Sequence, residues 1–97
     1  MKKVSKVRRS TAGNVQVGKV YLFRSVTHYH VGRVKQIHPD CFVLSDAAWI
    51  PDTGRFSEAV KGNSFSEVEP FVNDLILFRG SLVDATLWGG TLPLGVK

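Results

Sequence analysis

From Val15 onward the chain is a succession of short runs rich in β-branched and aromatic residues, each closed by a turn signal, with no helical stretch long enough to cross between parallel strands. That restricts the fold to antiparallel sheet. Residues 15–26 (VQVGKVYLFRSV) open the series, with Gly18 marking either a bulge or the true strand start. After a tight connection at residues 25–28, residues 29–37 (YHVGRVKQI) form the second arm of a hairpin. His38, Pro39 and Asp40 supply the next turn, because proline fixes φ and aspartate can bond its own backbone. Residues 41–50 (CFVLSDAAWI) are the third strand. Asp52 or Thr53 is placed to cap a short helix over 54–61, which Gly62 ends where a left-handed residue is wanted. Residues 64–71 (SFSEVEPF) are extended and acidic, an edge element in view of Pro70. Residues 75–79 and 82–87 are two last strands about Gly80 and Ser81, and Trp88-Gly89-Gly90 leads into a loose tail.

The pattern predicts an all-β fold with one short helix: a five-stranded, strongly bent barrel of the SH3 or Sm type, since closure removes edges that would otherwise aggregate. Its organisation is a flexible basic arm at 1–14, the barrel at 15–88 with a helical insertion at 51–71 between strands 3 and 4, and a tail at 89–97. A chain of 97 residues builds one modest core and is a natural candidate for oligomerisation. An apolar share of 43% is too high for a disordered chain. No apolar run approaches the roughly 20 residues of a membrane-spanning helix, and the basic start is not followed by an apolar stretch. A soluble, cytoplasmic protein is expected. Cys41 stands alone, which excludes an intrachain disulfide and a cysteine metal knuckle.

The formal charge of +5 sits almost entirely in Lys2, Lys3, Lys6, Arg8 and Arg9. The remaining 88 residues hold eight basic and eight acidic side chains. The arm is thus suited to phosphate contacts without sequence reading, or to solubility alone. Specific recognition must come from local groups. His28 and His30 flank Tyr29 at a turn and project to one face of a strand, where they can contact a ligand or simply bond backbone and water. Two histidines are too few for a zinc site. Trp49, Thr53, Arg55 and Phe56 combine ring faces, a planar cation and a helix start whose free N–H groups suit an anion. The alternative is that Trp49 and Phe56 pack the insertion onto the barrel. Arg24, Arg33 and Lys35 read as a solvated stripe, and Asp74 and Asp84 as carboxylates for a neighbouring subunit or the barrel rim. No nucleophile elbow, activated cysteine or carboxylate pair stands out, so neither catalysis nor a cofactor or metal is expected.

Two half-motifs resemble the Sm-like family. Residues 20–26, then Gly32 with Val34 and Ile37, then Leu44-Ser45-Asp46-Ala47 follow the order of its first motif, and Leu77-Phe78-Arg79-Gly80-Ser81-Leu82-Val83 follows its second. Together they span about half of the chain. The resemblance implies a five-stranded barrel that assembles into six- or seven-membered rings through edge strands, with RNA bases stacked near the pore against the position of Arg79. The turn at residues 38–41 carries His38 and Asp40 where the family has an Asp and an Asn. Along its full length the chain is also similar to small proteins encoded by bacteriophages. The expected function is capture, without catalysis, of a phosphate-bearing ligand, a nucleotide signal or short RNA, by a homo-oligomer; in a phage this would sequester a host immune nucleotide. The alternative is a protein-interaction module that inhibits or recruits a host protein through residues 64–71 and 87–96.

Overall fold

The computed structural model describes residues 14–62 and 64–97. One antiparallel sheet holds six strands: β1 (Val20–Ser25), β2 (Tyr29–Ile37), β3 (Cys41–Asp52), β4 (Glu67–Pro70), β5 (Leu75–Phe78) and β6 (Leu82–Leu87). A one-turn helix α1 (Phe56–Ala59) lies between β3 and β4, and a 3-10 turn (Arg79–Ser81) between β5 and β6. The fold is therefore all-β with one short helix. The expected closed five-stranded barrel is not what forms. The order is β4-β3-β2-β1-β6 with β5 also on β3, so the sheet is open and its two sides do not pair.

The extra strand has a local cause in β3. This strand is twelve residues long and carries two partners end to end, β5 along Cys41 to Leu44 and β4 along Ala48 to Asp52. Between them Asp46 adopts φ 51°, a left-handed conformation that aspartate tolerates better than most residues. The same stretch of β3 slips register against β2, which shifts between Val31 and Arg33. One continuous edge is thereby broken into β4 and β5. Gly32 is buried beside the slip, and a Cβ there would lie 3.0 Å from Ala47 Cβ and 3.1 Å from Leu44 Cβ. A bare backbone lets the two bent strands approach.

The slip also reverses which face each residue of β3 presents. Phe42, Leu44 and Ala47 join Tyr21, Phe23, Val34 and Leu77 in one core. Ala48 and Ile50 join Leu22, Val31 and Val68 in the other, which Ala59, Phe65 and Trp88 cover. β1 consequently buries side chains on both faces, which explains its unbroken run Tyr21-Leu22-Phe23. Each fully buried residue such as Phe23 or Leu44 contributes about 1.5–3 kcal/mol of transfer free energy.

Other expectations change at the ends of elements. Gly18, at φ 90°, turns the chain ahead of β1 and donates its N–H to Val34 O at 2.8 Å, so it precedes the strand and is not a bulge within it. α1 covers four residues instead of 54–61, with Arg55 at the N-cap and no side-chain cap bond. Asp52 does not cap it because its Oδ1 accepts from Gly54 N at 2.8 Å, closing a turn before the helix begins. A single turn aligns too few peptide dipoles for the expected anion site. Gly62 does end the helical turn, at φ 89°. The tail is not loose: Trp88 stacks on Phe65 with ring centroids 4.6 Å apart, and Lys97 and Val68 exchange two backbone hydrogen bonds of 2.7 and 2.9 Å. Lys2, Lys3, Lys6, Arg8 and Arg9 lie outside the described residues.

Candidate functional site

The β1–β2 turn and the far half of β3 create a row of rings on one face of the sheet. Ser25 N donates to His28 O at 2.8 Å and His28 N to Ser25 Oγ at 3.0 Å, which holds His28 just ahead of β2. In the β2–β3 ladder His30 lies opposite Trp49 and Tyr29 opposite Ile50. Strand alternation sends Tyr29 and Ile50 to the core covered by Trp88, and leaves His30 and Trp49 on the other face. The His28 ring stands 6.3 Å from His30 and 5.8 Å from Trp49. Phe71 completes the row 6.1 Å from His30, held where β4 ends by a bond from its N–H to Ala47 O.

Trp49 and Phe71 are 37% and 40% exposed, enough to offer ring surface to a ligand. His30 is half-buried, and its Nδ1 is a buried atom without a hydrogen-bond partner among the described residues. Burial, with nearby His28 adding to it, lowers the His30 pKa below its ordinary value, so the ring is neutral at pH 7. Next to the pair lies an open recess of about 460 Å³, mainly apolar, where Val26 and Leu77 line the space with Ser25, Thr27, His28 and Ser81. Thr27 Oγ1 and His28 Nδ1 are 2.6 Å apart, which orients the outer imidazole. The arrangement offers flat faces for stacking beside hydroxyl and backbone groups that can bond an oxygen-rich group.

The residues anticipated as one pocket in the insertion are divided. Phe56 packs on Tyr29 at 5.7 Å, on the opposite face from Trp49, so these two rings cannot sandwich one ligand. Thr53 Oγ1 donates to Gly54 O at 2.9 Å and braces the loop. Arg55 is exposed at the N-cap of α1, next to Phe56 in sequence.

Arg79 forms a third locality. Its Nη1 donates to His38 O at 2.8 Å and to Pro39 O at 3.3 Å, its guanidinium lies 4.7 Å over the Phe42 ring, and its backbone N–H bonds Asp40 O. The two half-motifs therefore meet in space, with Arg79 clasping the 38–40 turn. Beside it, desolvation and Asp40 hold the Cys41 thiol above its ordinary pKa, against the opposing effect of Arg79. It is a poor nucleophile at neutral pH. Asp84 and Asp74 each pair within the chain: Asp84 takes both oxygens to the Arg24 fork, and Asp74 Oδ2 meets Lys35 Nζ at 2.7 Å. Arg33 Nη1 bonds Gly18 O, so the basic stripe is engaged at all three positions.

Phe71 was not singled out in the sequence. Its signal was its position directly after Pro70 at the end of an edge element, where an apolar side chain has no further strand to pack beneath. Among the described residues no group of three or more His, Cys, Asp or Glu could hold a metal ion, and no helix is long and apolar enough to cross a membrane. Comparison with protein-family models, curated proteins and solved structures gives no match.

Proposed function

We propose that the protein is a non-enzymatic, oligomeric binding protein for a phosphate-bearing ligand that carries a base, either a nucleotide or a short RNA. The observation that carries this reading is the row Trp49–His28–His30–Phe71, four adjoining rings at the surface, with a mainly apolar recess beside them that carries the hydroxyls of Ser25, Thr27 and Ser81. Bases stack on such rings without sequence preference, at about 1–3 kcal/mol each. Lys2, Lys3, Lys6, Arg8 and Arg9 add a salt-dependent attraction for phosphate. Arg55 and Arg79 are secondary cations, the first exposed and the second shared with its own turn.

Oligomerisation is supported by the sheet's sides. Ile76 and Phe78 on β5 and Val83 and Leu87 on β6 are each more than half exposed. Edge pairing of β5 in one copy with β6 in the next would cover them, giving the six- or seven-membered ring that an Sm-like relationship implies. The same apolar residues favour a second reading, a module that docks on a host protein. In a bacteriophage, the first reading corresponds to sequestering a host nucleotide signal in the cytoplasm.

The test is a low-salt titration with mono- and cyclic nucleotides, read by calorimetry, and with labelled short RNAs, read by anisotropy. Binding should weaken at least fivefold in Trp49→Ala and in Phe71→Ala, from about 1 kcal/mol or more per stacked base. No binding of any of these ligands overturns the proposal. Retention of a host protein after nuclease treatment, without nucleotide binding, establishes the second reading.

A further inference from the structure

A single transverse line crosses four strands at the ring row. Phe23 of β1 lies opposite His30 of β2, His30 opposite Trp49 of β3, and Trp49 opposite Glu69 of β4. Residues directly opposite in an antiparallel pair share a face, with Cβ atoms about 4.5–5.5 Å apart. Along the line burial falls from Phe23 in the core, through the half-buried His30, to Trp49, which is 37% exposed, and to the exposed Glu69. The indole therefore reaches solvent beside a carboxylate. His28 meets the indole at an inclination of 48°, so it does not lie flat against that ring.

The carboxylate of Glu69 is uncommitted. Asp84 and Asp74 are paired with Arg24 and Lys35, but among the described residues the Glu69 side chain has neither an ion pair nor a hydrogen bond. Lys97 stands on the outer edge of β4, where it exchanges two backbone bonds with Val68; being opposite Val68, its side chain belongs to the other face from Glu69. At the far end of the row Asp46 and Asp74 line one recess together with Phe71. A phosphate set beside Trp49 would meet Glu69 as a like charge. A nucleotide stacked on the indole is therefore held with its phosphate turned away from β4 and the edge of its base towards Glu69.

The bases differ at that edge. A carboxylate only accepts hydrogen bonds. Guanine presents two adjacent donors, N1–H and the N2 amino group, which match the two carboxylate oxygens in parallel, charge-assisted bonds. Adenine and cytosine offer one amino donor next to a ring-nitrogen lone pair, and uracil one N–H between two carbonyl oxygens, so each sets lone pairs against the carboxylate. We propose that Trp49 and Glu69 form a guanine-selective subsite, in which the indole stacks on the base and Glu69 accepts from N1–H and from the N2 amino group. The proposal rests on the nucleotide-binding reading above and adds the identity of the base to it.

Calorimetric titration of the full chain at low salt with GMP, IMP, AMP and UMP is the test, because IMP keeps the ring system and N1–H of GMP and lacks only the N2 amino group. GMP should bind about fivefold or more tightly than IMP, and about tenfold or more tightly than AMP or UMP. Glu69→Gln should bring GMP and IMP to within about twofold of each other. Glu67→Gln, at the neighbouring exposed acid, should keep the preference, and the urea midpoint reports that both variants remain folded. Equal binding of the four nucleotides, still weakened by Trp49→Ala, overturns the guanine assignment and leaves the nucleotide reading standing. A GMP preference that survives Glu69→Gln also overturns it. No binding of any of the four overturns both.

Discussion

Gly32→Ala tests the physical origin of the bend that positions everything else. A Cβ at residue 32 meets Ala47 Cβ at 3.0 Å, Leu44 Cβ at 3.1 Å and Ala47 Cα at 3.2 Å, against an ordinary contact of about 3.5–4.0 Å. Ala47 and Leu44 are 1% and 0% exposed, so neither can retreat into solvent, and none of the three atoms is the tip of a flexible side chain. Overpacking of this kind costs about 1–3 kcal/mol. The loss of glycine's freedom in the unfolded chain offsets about 0.4–1 kcal/mol of it. The net expectation is a destabilisation of about 1–2 kcal/mol, or a Tm lower by about 5–15 °C for a domain of this size. Urea unfolding followed by circular dichroism gives the free energy, and an unchanged m-value shows that the surface exposed on unfolding is the same. Adding Ala47→Gly removes the shortest of the three contacts at its source, so the double variant should recover at least about 0.5 kcal/mol relative to the sum of the singles. Gly32→Ala at parental stability, or strictly additive single effects, would refute the view that close approach at Gly32 sets the bend.

Three further outcomes follow from the side-chain geometry. Because burial and His28 depress the His30 pKa, the unfolded chain binds a proton more readily than the folded one; stability is full above the ordinary histidine pKa of about 6.5 and falls as pH drops below it. His30→Gln should flatten the change in urea midpoint between pH 7.5 and pH 5.5, and an unaltered pH profile would contradict this. Asp84→Asn breaks an exposed ion pair with Arg24 and should lower the urea midpoint only slightly, a loss that shrinks further in salt. Arg79→Ala removes two bonds to turn carbonyls and a cation over Phe42, so it should lower stability by about 1–2 kcal/mol, whereas Arg55→Ala should leave the urea midpoint unchanged.

The second strand was legible from pattern alone. Residues 29–37 were delimited correctly because β-branched residues alternate up to a proline turn. The third strand runs to Asp52, past the last apolar residue, because β4 supplies a partner for Asp52 that no local signal announces. Strand count failed for a related reason. The acidic edge element at 64–71, read apart from the five barrel strands, joins the sheet as β4, and it shares one side of β3 with β5 because the chain bends at Asp46. The C-terminal segment has no periodicity, so its return to Val68 depends on tertiary contacts that sequence does not encode locally. In the site, the pairing of His28 with His30 was legible from their spacing. The division of Trp49 from Phe56 was not, since it depends on the register that sets Tyr29 against Ile50.

The claim that the ring row is the ligand surface is tested most directly by mapping amide and indole N–H shifts while a short single-stranded RNA, and in parallel a mononucleotide, is titrated into the full chain at low salt. The account predicts saturating shifts centred on His28, His30, Trp49 and Phe71 and extending to Gly80 and Ser81 at the recess. Shifts centred instead on the 38–40 turn and Arg79, or on Arg55 and Phe56, with the four rings unmoved, would contradict it.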